Sequence, residues 1–355
     1  MNARPRIGLI GVGRIGQVHL KSLLSHPELA ELAILVDANE QALTFAQERF
    51  RLDRTSTDVD DIFSDPTIDG VIIASSTDTH APYITEAARS GKSALTEKPI
   101  ALDIEATDAA LAAVESAGSR LQVGFQRRFD APYAAARRQI EAGKLGRIEM
   151  IRDAMRDPSP PPVSYLEVSG GLFRDMTIHN LDCVRWLRGE NPVEIYAVGS
   201  ALTSPEVDQV GDIDTSVIVM KFADGSLATI ENSRRSGFGY DVRTEVFGSD
   251  GALMIGDHRQ VHLRSYDAGG VHEDHQYFFL ERFARAYELE VVHFLESIIN
   301  DTTPHVTGHD GRVALHLAYA AEQSRRSGLP VRLDGESGRV ITSEGTRSCV
   351  TQPIS

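Results

Sequence analysis

The chain predicts an α/β half joined to an α+β half, and three observations carry that reading. First, Arg6-Ile7-Gly8-Leu9-Ile10 is an apolar run short enough for a buried strand. After Gly11-Val12-Gly13-Arg14-Ile15-Gly16 it gives way to a stretch in which Ile15, Val18, Leu20, Leu23 and Leu24 recur at helical spacing. Second, strand-like and helix-like stretches alternate from there to Val123, the rhythm of a parallel sheet with helices on both faces. Third, beyond Gly124 several strand-like stretches come in succession, and Val217 and Val219 alternate with Ile218, Met220 and Phe222 as antiparallel strands do. At 355 residues the chain exceeds a usual single core. We therefore expect one domain over 1–124, a second over 125–340, and a loose tail over 341–355.

In order, the first strand and the glycine turn lead into a helix through Leu24, and a second strand, Glu31 to Val36, ends on Asp37. A helix over Glu40 to Phe50 and a short helical piece from Asp58 to Phe63 follow. Val71 to Ala74 is a buried strand ending in Ser75-Ser76-Thr77, and Pro82 to Ser90 is a helix stopped by Gly91. Ser93 to Thr96 is a strand that delivers Glu97-Lys98-Pro99 to the same sheet edge. Asp103 caps a helix that runs to Ala117 and stops at Gly118, and Arg120 to Val123 is the last strand of this half.

The second half opens with a helix from Ala131 to Ala142, a strand from Ile148 to Arg152 and a rigid proline loop, Pro158 to Pro162. Gly170 and Gly171 precede a helix from Phe173 to Leu187. Strands are expected at 193–198, 215–222, 226–232, 242–247, 252–255 and 260–263, with hairpin turns at 223–226 and 248–251. Helices over 280–299 and 311–327 close the fold, and the sequence from Gly335 on is polar and reads as loose. A meander sheet of this kind buries one face on helices and leaves the other free, which suits self-association into a homo-oligomer.

Composition narrows the classes. The chain is 41% apolar and 25% charged, as globular proteins are, with a net charge of −15 that repels nucleic acid and anionic membrane. No apolar stretch approaches a membrane span. Two cysteines, Cys183 and Cys349, make no disulfide framework and no metal spacing, and Met1 to Pro5 runs straight into the first strand with no room for a signal peptide. These features read as a cytoplasmic protein without nucleic-acid or membrane partners.

Strand, glycine turn and helix together form the setting in which G-x-G-x-x-G binds a dinucleotide. Gly11 allows the tight turn, Gly13 admits the pyrophosphate, and Gly16 lets helix and strand pack closely. The free amides at the helix start, around Arg14 and Ile15, face the phosphates. Asp37 lies where a carboxylate accepts both ribose hydroxyls and repels a 2′-phosphate, favouring NAD. Ser75, Ser76 and Thr77, with His80, Glu97, Lys98 and Gln126, complete the expected cofactor crevice.

Lys98 at a strand's C-terminal edge is placed to stabilise a developing alkoxide. Asp175 and His179 are four apart, so a regular helix would point carboxylate and imidazole the same way. An imidazole suits proton acceptance from an alcohol, although a satisfied interior histidine beside a capping aspartate accounts for the spacing at least as well. Arg127, Arg128 and Asp130 at the domain junction fit either a polar ligand or an interdomain ion network. Arg156-Asp157, and Arg234-Arg235 with Tyr240, are further polar groups for which a structural role is equally good. His262, His272, His275, His305 and His309 lack zinc-type spacing, so no metal is expected.

Four stretches together resemble the glucose–fructose oxidoreductase, inositol dehydrogenase and rhizopine-catabolism (Gfo/Idh/MocA) family. They are Gly11 to Gly16, Glu97-Lys98-Pro99, Gly124-Phe125-Gln126-Arg127-Arg128-Phe129-Asp130 and Asp175-Met176-Thr177-Ile178-His179. The resemblance runs from Ile7 to about Leu333. It implies a Rossmann domain joined to a mostly antiparallel sheet domain that often mediates tetramer formation. It also implies hydride transfer between a nicotinamide cofactor and a sugar or polyol carbon.

Within the family the chain looks most like inositol 2-dehydrogenases, through Arg156 to Pro162, Gly170 to Asp175, and Asn232-Ser233-Arg234-Arg235 through Tyr240-Asp241. Asn180 departs from the acidic residue that often follows the histidine. The resemblance implies that His179 is the base, that Lys98 holds the reacting oxygen, and that Asp175 orients His179 or binds a neighbouring hydroxyl. Arg127, Arg156, Asp157 and Tyr240 are the implied substrate contacts. A pyranose dehydrogenase of the same family and a non-catalytic NAD-binding sensor remain as other readings at this point; a sensor has no need of Lys98, Asp175 and His179 together.

Overall fold

The computed structural model describes residues 4–256 and 263–341. Six parallel strands form the first sheet: β1 (Arg6–Ile10), β2 (Glu31–Val36), β3 (Thr55–Ser56), β4 (Gly70–Ile73), β5 (Ser93–Glu97) and β6 (Leu121–Gly124). Their order is β3-β2-β1-β4-β5-β6. The direction of winding therefore reverses between β1 and β4, and the crevice beyond the carboxyl ends of those two strands is where such sheets take ligands.

Local chemistry explains the element ends. Asp103 caps Ile104–Ala117 by accepting from the Ala106 amide at 2.7 Å. The helix expected from Pro82 begins at Thr77 instead and holds Pro82 inside. A hydroxyl secures this earlier start, the Thr79 side chain donating to the Ser76 carbonyl at 2.7 Å.

The second sheet comprises β7 (Ile148–Arg156), β8 (Glu194–Ser200), β9 (Thr215–Lys221), β10 (Leu227–Ser233), β11 (Asp241–Gly248) and β12 (Ala252–Ile255). A separate exposed hairpin follows, β13 (Arg264–Asp267) with β14 (Gly270–Glu273), and β15 (Val331–Arg332) completes the second sheet at its far edge. The order β12-β11-β7-β10-β9-β8-β15 is not the meander expected, because β7 inserts between β10 and β11 and runs parallel to β10. Alternation shows that each strand has one buried side, but it does not say which strand lies next door. Of the strand expected at 260–263, residues 260–262 lie outside the described residues, as do Cys349 and 342–355 of the tail.

One face of this sheet is buried under Ile178–Arg188 and Gly308–Ser327, with Ile195, Ala197, Ile218, Met220, Ala228 and Ile230 in its core. The other face is open and carries exposed Tyr196, Val198, Val217 and Val219. The two closing helices also reach the first sheet. Val291, Phe294 and Leu295 of Ala284–Ile299 join Leu9, Leu20 and Leu23 in one core. The single helix expected over 280–299 breaks at Phe283 into Phe279–Arg282 and Ala284–Ile299. Gly308–Ser327 starts before the expected Gly311 because Thr307 and Asp310 cap each other reciprocally, the Thr307 amide donating to Asp310 Oδ2 at 2.8 Å. The part of the tail that is described is not loose: Leu333 bridges Val340, and the Ile341 amide donates to the Arg332 carbonyl at 2.9 Å. Among the described residues, no helix is long and apolar enough to cross a membrane.

Candidate active site

The glycine turn has the shape of a dinucleotide cradle. Gly11 has φ +95°, and a side chain there would come within 2.5 Å of the Ala74 carbonyl oxygen. A side chain at Gly16 would come within 2.0 Å of the Gly11 carbonyl oxygen, so neither position accepts another residue without rearrangement. At Gly13 the space is open to 4 Å, room that a pyrophosphate needs. Asp37 stands at the lip, its carboxylate accepting from the Val12 amide at 2.7 Å and the Asn39 amide at 2.8 Å. The residues present therefore fit a nicotinamide dinucleotide: glycine amides for its phosphates, an anchored carboxylate for its ribose, and a sheet edge for its ring.

Around this cradle the expected residues divide. Arg14 is exposed and stacks over Phe278 at 5.3 Å, Ile15 packs against the core of the second half, and Ser76 and Thr77 stand at the helix start. Ser75 bonds Thr79 hydroxyl to hydroxyl at 2.6 Å. Gln126 is buried, and its side-chain carbonyl has no partner. His80 was expected to face the cofactor; instead both ring nitrogens lie against backbone carbonyls, Pro99 at 2.8 Å and Ser75 at 3.2 Å. It braces two crevice loops because a buried imidazole needs its polar atoms satisfied. Glu97 at the end of β5 accepts His19 Nε2 at 2.7 Å.

Next along the chain, the Lys98–Pro99 peptide is cis. Lys98 Nζ donates to the Asp175 backbone carbonyl at 2.6 Å and lies 3.5 Å from its carboxylate. The other bonds of that carboxylate come from Tyr165 Oη at 2.8 Å and Arg234 Nη1 at 3.1 Å. Burial alone would raise the Asp175 carboxyl, but Lys98 and Arg234 hold it below its usual value, so it is ionised. Asp175 does not hydrogen-bond His179. Phe173–Thr177 is a π-helical turn, and in that wider turn residues four apart no longer stack as in an α-helix.

His179 lies in the first turn of the regular helix Ile178–Arg188 and sits edge-on to Phe125, with its Nδ1 buried and unpartnered. Burial, with the positive charges of Lys98 and Arg127, pushes its pKa well below the ordinary value, so the ring is neutral at physiological pH. Asp157 lies in the same field. Burial pushes its carboxyl up to about 6, with Asp175 adding to the rise and Arg234 and Lys98 opposing it.

Of the expected substrate contacts, Arg127 and Arg156 have other partners, and the hydroxyl of the third, Tyr240, is buried with none. Arg127 is buried, pairing with Asp153 at 3.3 Å and donating to the Met155 sulfur at 2.8 Å. A buried guanidinium requires a carboxylate, and Asp153 in turn accepts from Asn180 at 2.8 Å and Thr244 at 2.6 Å. Arg156 projects from the opposite, open face of the sheet, where it binds Glu231 and Asp241. Strand alternation fixes this: Asp153 and Met155 face the helices, so Arg156 faces away. Tyr240 is buried among Phe279 and Phe283. Arg128 and Asp130 serve interior ion pairs, with Asp182 and Asp310 for the first and Arg282 for the second.

Sequence reading missed Tyr165, which nothing in its neighbourhood marks. It noted Arg234 without giving it a role, and overlooked Asp212, which lies 4.0 Å from Arg234 and accepts from the Leu172 amide at 3.0 Å. A paired arginine two residues before a Gly-x-Gly stretch was the only signal available.

Comparison with known proteins identifies the family. Residues 5–125 match the family described as oxidoreductase family, NAD-binding Rossmann fold, and residues 133–254 match the GFO/IDH/MocA C-terminal domain. The chain is 37% identical over 330 residues to the myo-inositol 2-dehydrogenase of Thermotoga maritima, covering 93% of this chain and 98% of that protein. It is 36% identical over 334 residues to the scyllo-inositol 2-dehydrogenase (NAD(+)) of Bacillus subtilis, covering 94% and 98%. The crystal structure of scyllo-inositol dehydrogenase from Lactobacillus casei with bound NAD(H) and scyllo-inositol superposes with a TM-score of 0.87 at 30% identity, covering 93% of this chain and 99% of that one. With both halves matched and relatives of this identity along almost the whole length, the chain belongs to the Gfo/Idh/MocA oxidoreductase family.

Proposed function

We propose that the protein is an NAD-dependent dehydrogenase that oxidises one ring hydroxyl of an inositol to the ketone. The observation that carries this reading is the meeting of Lys98, ionised Asp175 and neutral His179 at the carboxyl edge of β5, beside the dinucleotide cradle. The relatives named above, which act on inositols, support the choice of ring.

Bound NAD supplies the hydride acceptor. Gly11, Gly13, Arg14, Ile15 and Gly16 would hold its phosphates, Asp37 its ribose, and Ser75, Ser76, Thr77, Glu97, Lys98 and Gln126 would line the crevice for the rest. His179 takes the hydroxyl proton; a neutral imidazole is the form that accepts one. Lys98 donates to the reacting oxygen and stabilises the alkoxide that develops there. Asp175 fixes Lys98 through its backbone carbonyl and its carboxylate, and Arg234 and Tyr165 fix Asp175. Asp157 accepts a hydrogen bond from a neighbouring ring hydroxyl.

Copies of the chain meet through the open face of the second sheet, as a tetramer, in the cytoplasm. The exposed valines on that face support the first statement, and the acidic charge and sparse cysteines support the second. Purified protein with NAD and a panel of inositol isomers and aldoses, followed by reduced-nicotinamide absorbance, tests the activity. Turnover of an inositol with the highest kcat/KM is the expected result. A clear preference for an aldose, or turnover of no polyol at all, overturns it.

A further inference from the structure

Behind the Lys98 loop lies a second group of ionisable side chains, of which the hydride-transfer reading uses only Glu97, along the cofactor crevice. Glu290, in the middle of Ala284–Ile299, is fully buried, and neither of its carboxylate oxygens has a hydrogen-bond partner. It faces His19 from Arg14–Leu24 and Glu97 from β5, and the polar atoms of the three lie within 4.8 Å of one another. His19 Nε2 and Glu97 Oε1 are 2.7 Å apart, while His19 Nδ1 is buried without a partner.

The cations nearest this group are engaged elsewhere, Arg127, which also acts on Tyr287, with Asp153 and Lys98 with Asp175. Gln122 of β6 donates to the Glu290 backbone carbonyl at 2.9 Å, and Tyr287, on the same helix, packs edge-on against His19. Two carboxylates this close in a dry interior repel each other strongly, and one of them keeps its proton. Glu290 has no donor to favour its charged form, whereas Glu97 has His19. Burial and the neighbouring Glu97 accordingly push the Glu290 carboxyl well above its ordinary range.

We propose that Glu290 stands as the neutral acid beside the His19–Glu97 pair and acts as a positioning residue for Lys98. Neutral Glu290 spares Glu97 the repulsion that would push it off His19. Glu97 and Lys98 share a peptide bond, so a displaced Glu97 drags Lys98 from its seat on the Asp175 carbonyl. Ionising Glu290 at alkaline pH therefore lowers kcat. The positioning step rests on the role proposed above for Lys98; the neutral state of Glu290 does not.

Two measurements on the full-length protein test this. Infrared difference spectra at neutral pH are expected to contain a protonated-carboxyl band that fades on raising the pH and is missing from Glu290→Gln. Absence of such a band in the wild-type protein overturns the proposal, as does a stoichiometric divalent metal ion, found by elemental analysis, that Glu290→Gln loses. Glu290→Gln, neutral at every pH, is expected to keep the wild-type kcat at neutral pH and to lose the alkaline decline. A Glu290→Gln profile that still falls at high pH like the wild type overturns the positioning role. A protein that shows the band yet turns over no polyol supports the neutral state of Glu290 and refutes the dehydrogenase reading instead.

Discussion

The imidazole of His179 is buried beside two fixed cations, and that setting decides its chemistry. Protonating it there would place a third positive charge near Lys98 and Arg127, so the neutral ring is favoured. A base depressed in this way becomes protonated, and inactive, only as pH falls through its lowered value. The acid limb that His179 imposes on kcat is therefore expected below the 6.5 of an ordinary imidazole. His179→Ala is expected to lower kcat by ~10²–10⁴-fold while NAD binding by titration is preserved. Asp157 behaves in the opposite sense. Its carboxyl, raised to about 6, accepts hydrogen bonds as the anion, so kcat/KM for the polyol should rise as pH increases through that value. Asp157→Asn should flatten the step in a kcat/KM profile; an unchanged step would remove Asp157 from the pocket. Lys98, Asp175 and His179 were legible because each belongs to a short motif with its own chemistry. The role of Arg234 and the presence of Tyr165 were not, because one reaches Asp175 from the loop after β10 and the other from the short helix Val163–Leu166, and only the folded chain brings them there.

Between single side chains and the whole molecule stand the elements, and there the sequence spoke unevenly. Strands and helices of the first half were readable because a parallel sheet is buried on both faces and leaves continuous apolar runs. The π-helical turn at Phe173–Thr177 was not, since its residues carry no distinctive pattern, and the face shared by Asp175 and His179 was misjudged for that reason. The sides taken by Arg127 and Arg156 were equally hidden. A charged residue in a strand or turn reads the same whether it meets a carboxylate in the interior or on an open face. The structure gives Arg127 the interior one. Through Asp153 it ties the short turn after β6 to β7, and through Asn180 and Asn232 the chain of bonds reaches Ile178–Arg188 and β10. Removing one member leaves a buried charge uncompensated. Arg127→Met is expected to destabilise the protein by about 3–5 kcal/mol in denaturant unfolding. Adding Asp153→Asn should recover part of that loss, because the orphaned carboxylate is then gone. Strict additivity of the two substitutions would show that no such coupling exists.

At the scale of the molecule, the second sheet is covered on one side only, and register explains what the bare side presents. Tyr196 lies opposite Val219, and Val198 opposite Val217, so four apolar side chains from β8 and β9 form one contiguous patch. Toward β7 and β11 the same face adds ion pairs, Arg152 with Glu245 and Arg156 with Glu231, beside a further exposed apolar pair, Met150 with Phe247. An apolar patch of this kind beside ion pairs is what the contact proposed above between copies of the chain would use. The order of the strands could not be read from the sequence, because alternation is indifferent to which strand is the neighbour. The existence of a free face could be read, because strands that alternate, as Val217 and Val219 do with Ile218 and Met220, have one face to bury on helices and one left over. Association through this patch makes a specific demand on charge. With the chain already at −15, Val217→Glu together with Val219→Glu places two further anions at the centre of the contact, and in a symmetric assembly each partner brings the same pair. Multi-angle light scattering is expected to find the wild type as a tetramer and the double variant as smaller species. The far-ultraviolet circular dichroism of the two should match, since both positions are exposed and neither contributes to the core. A double variant that keeps the wild-type mass would place the contact on another surface.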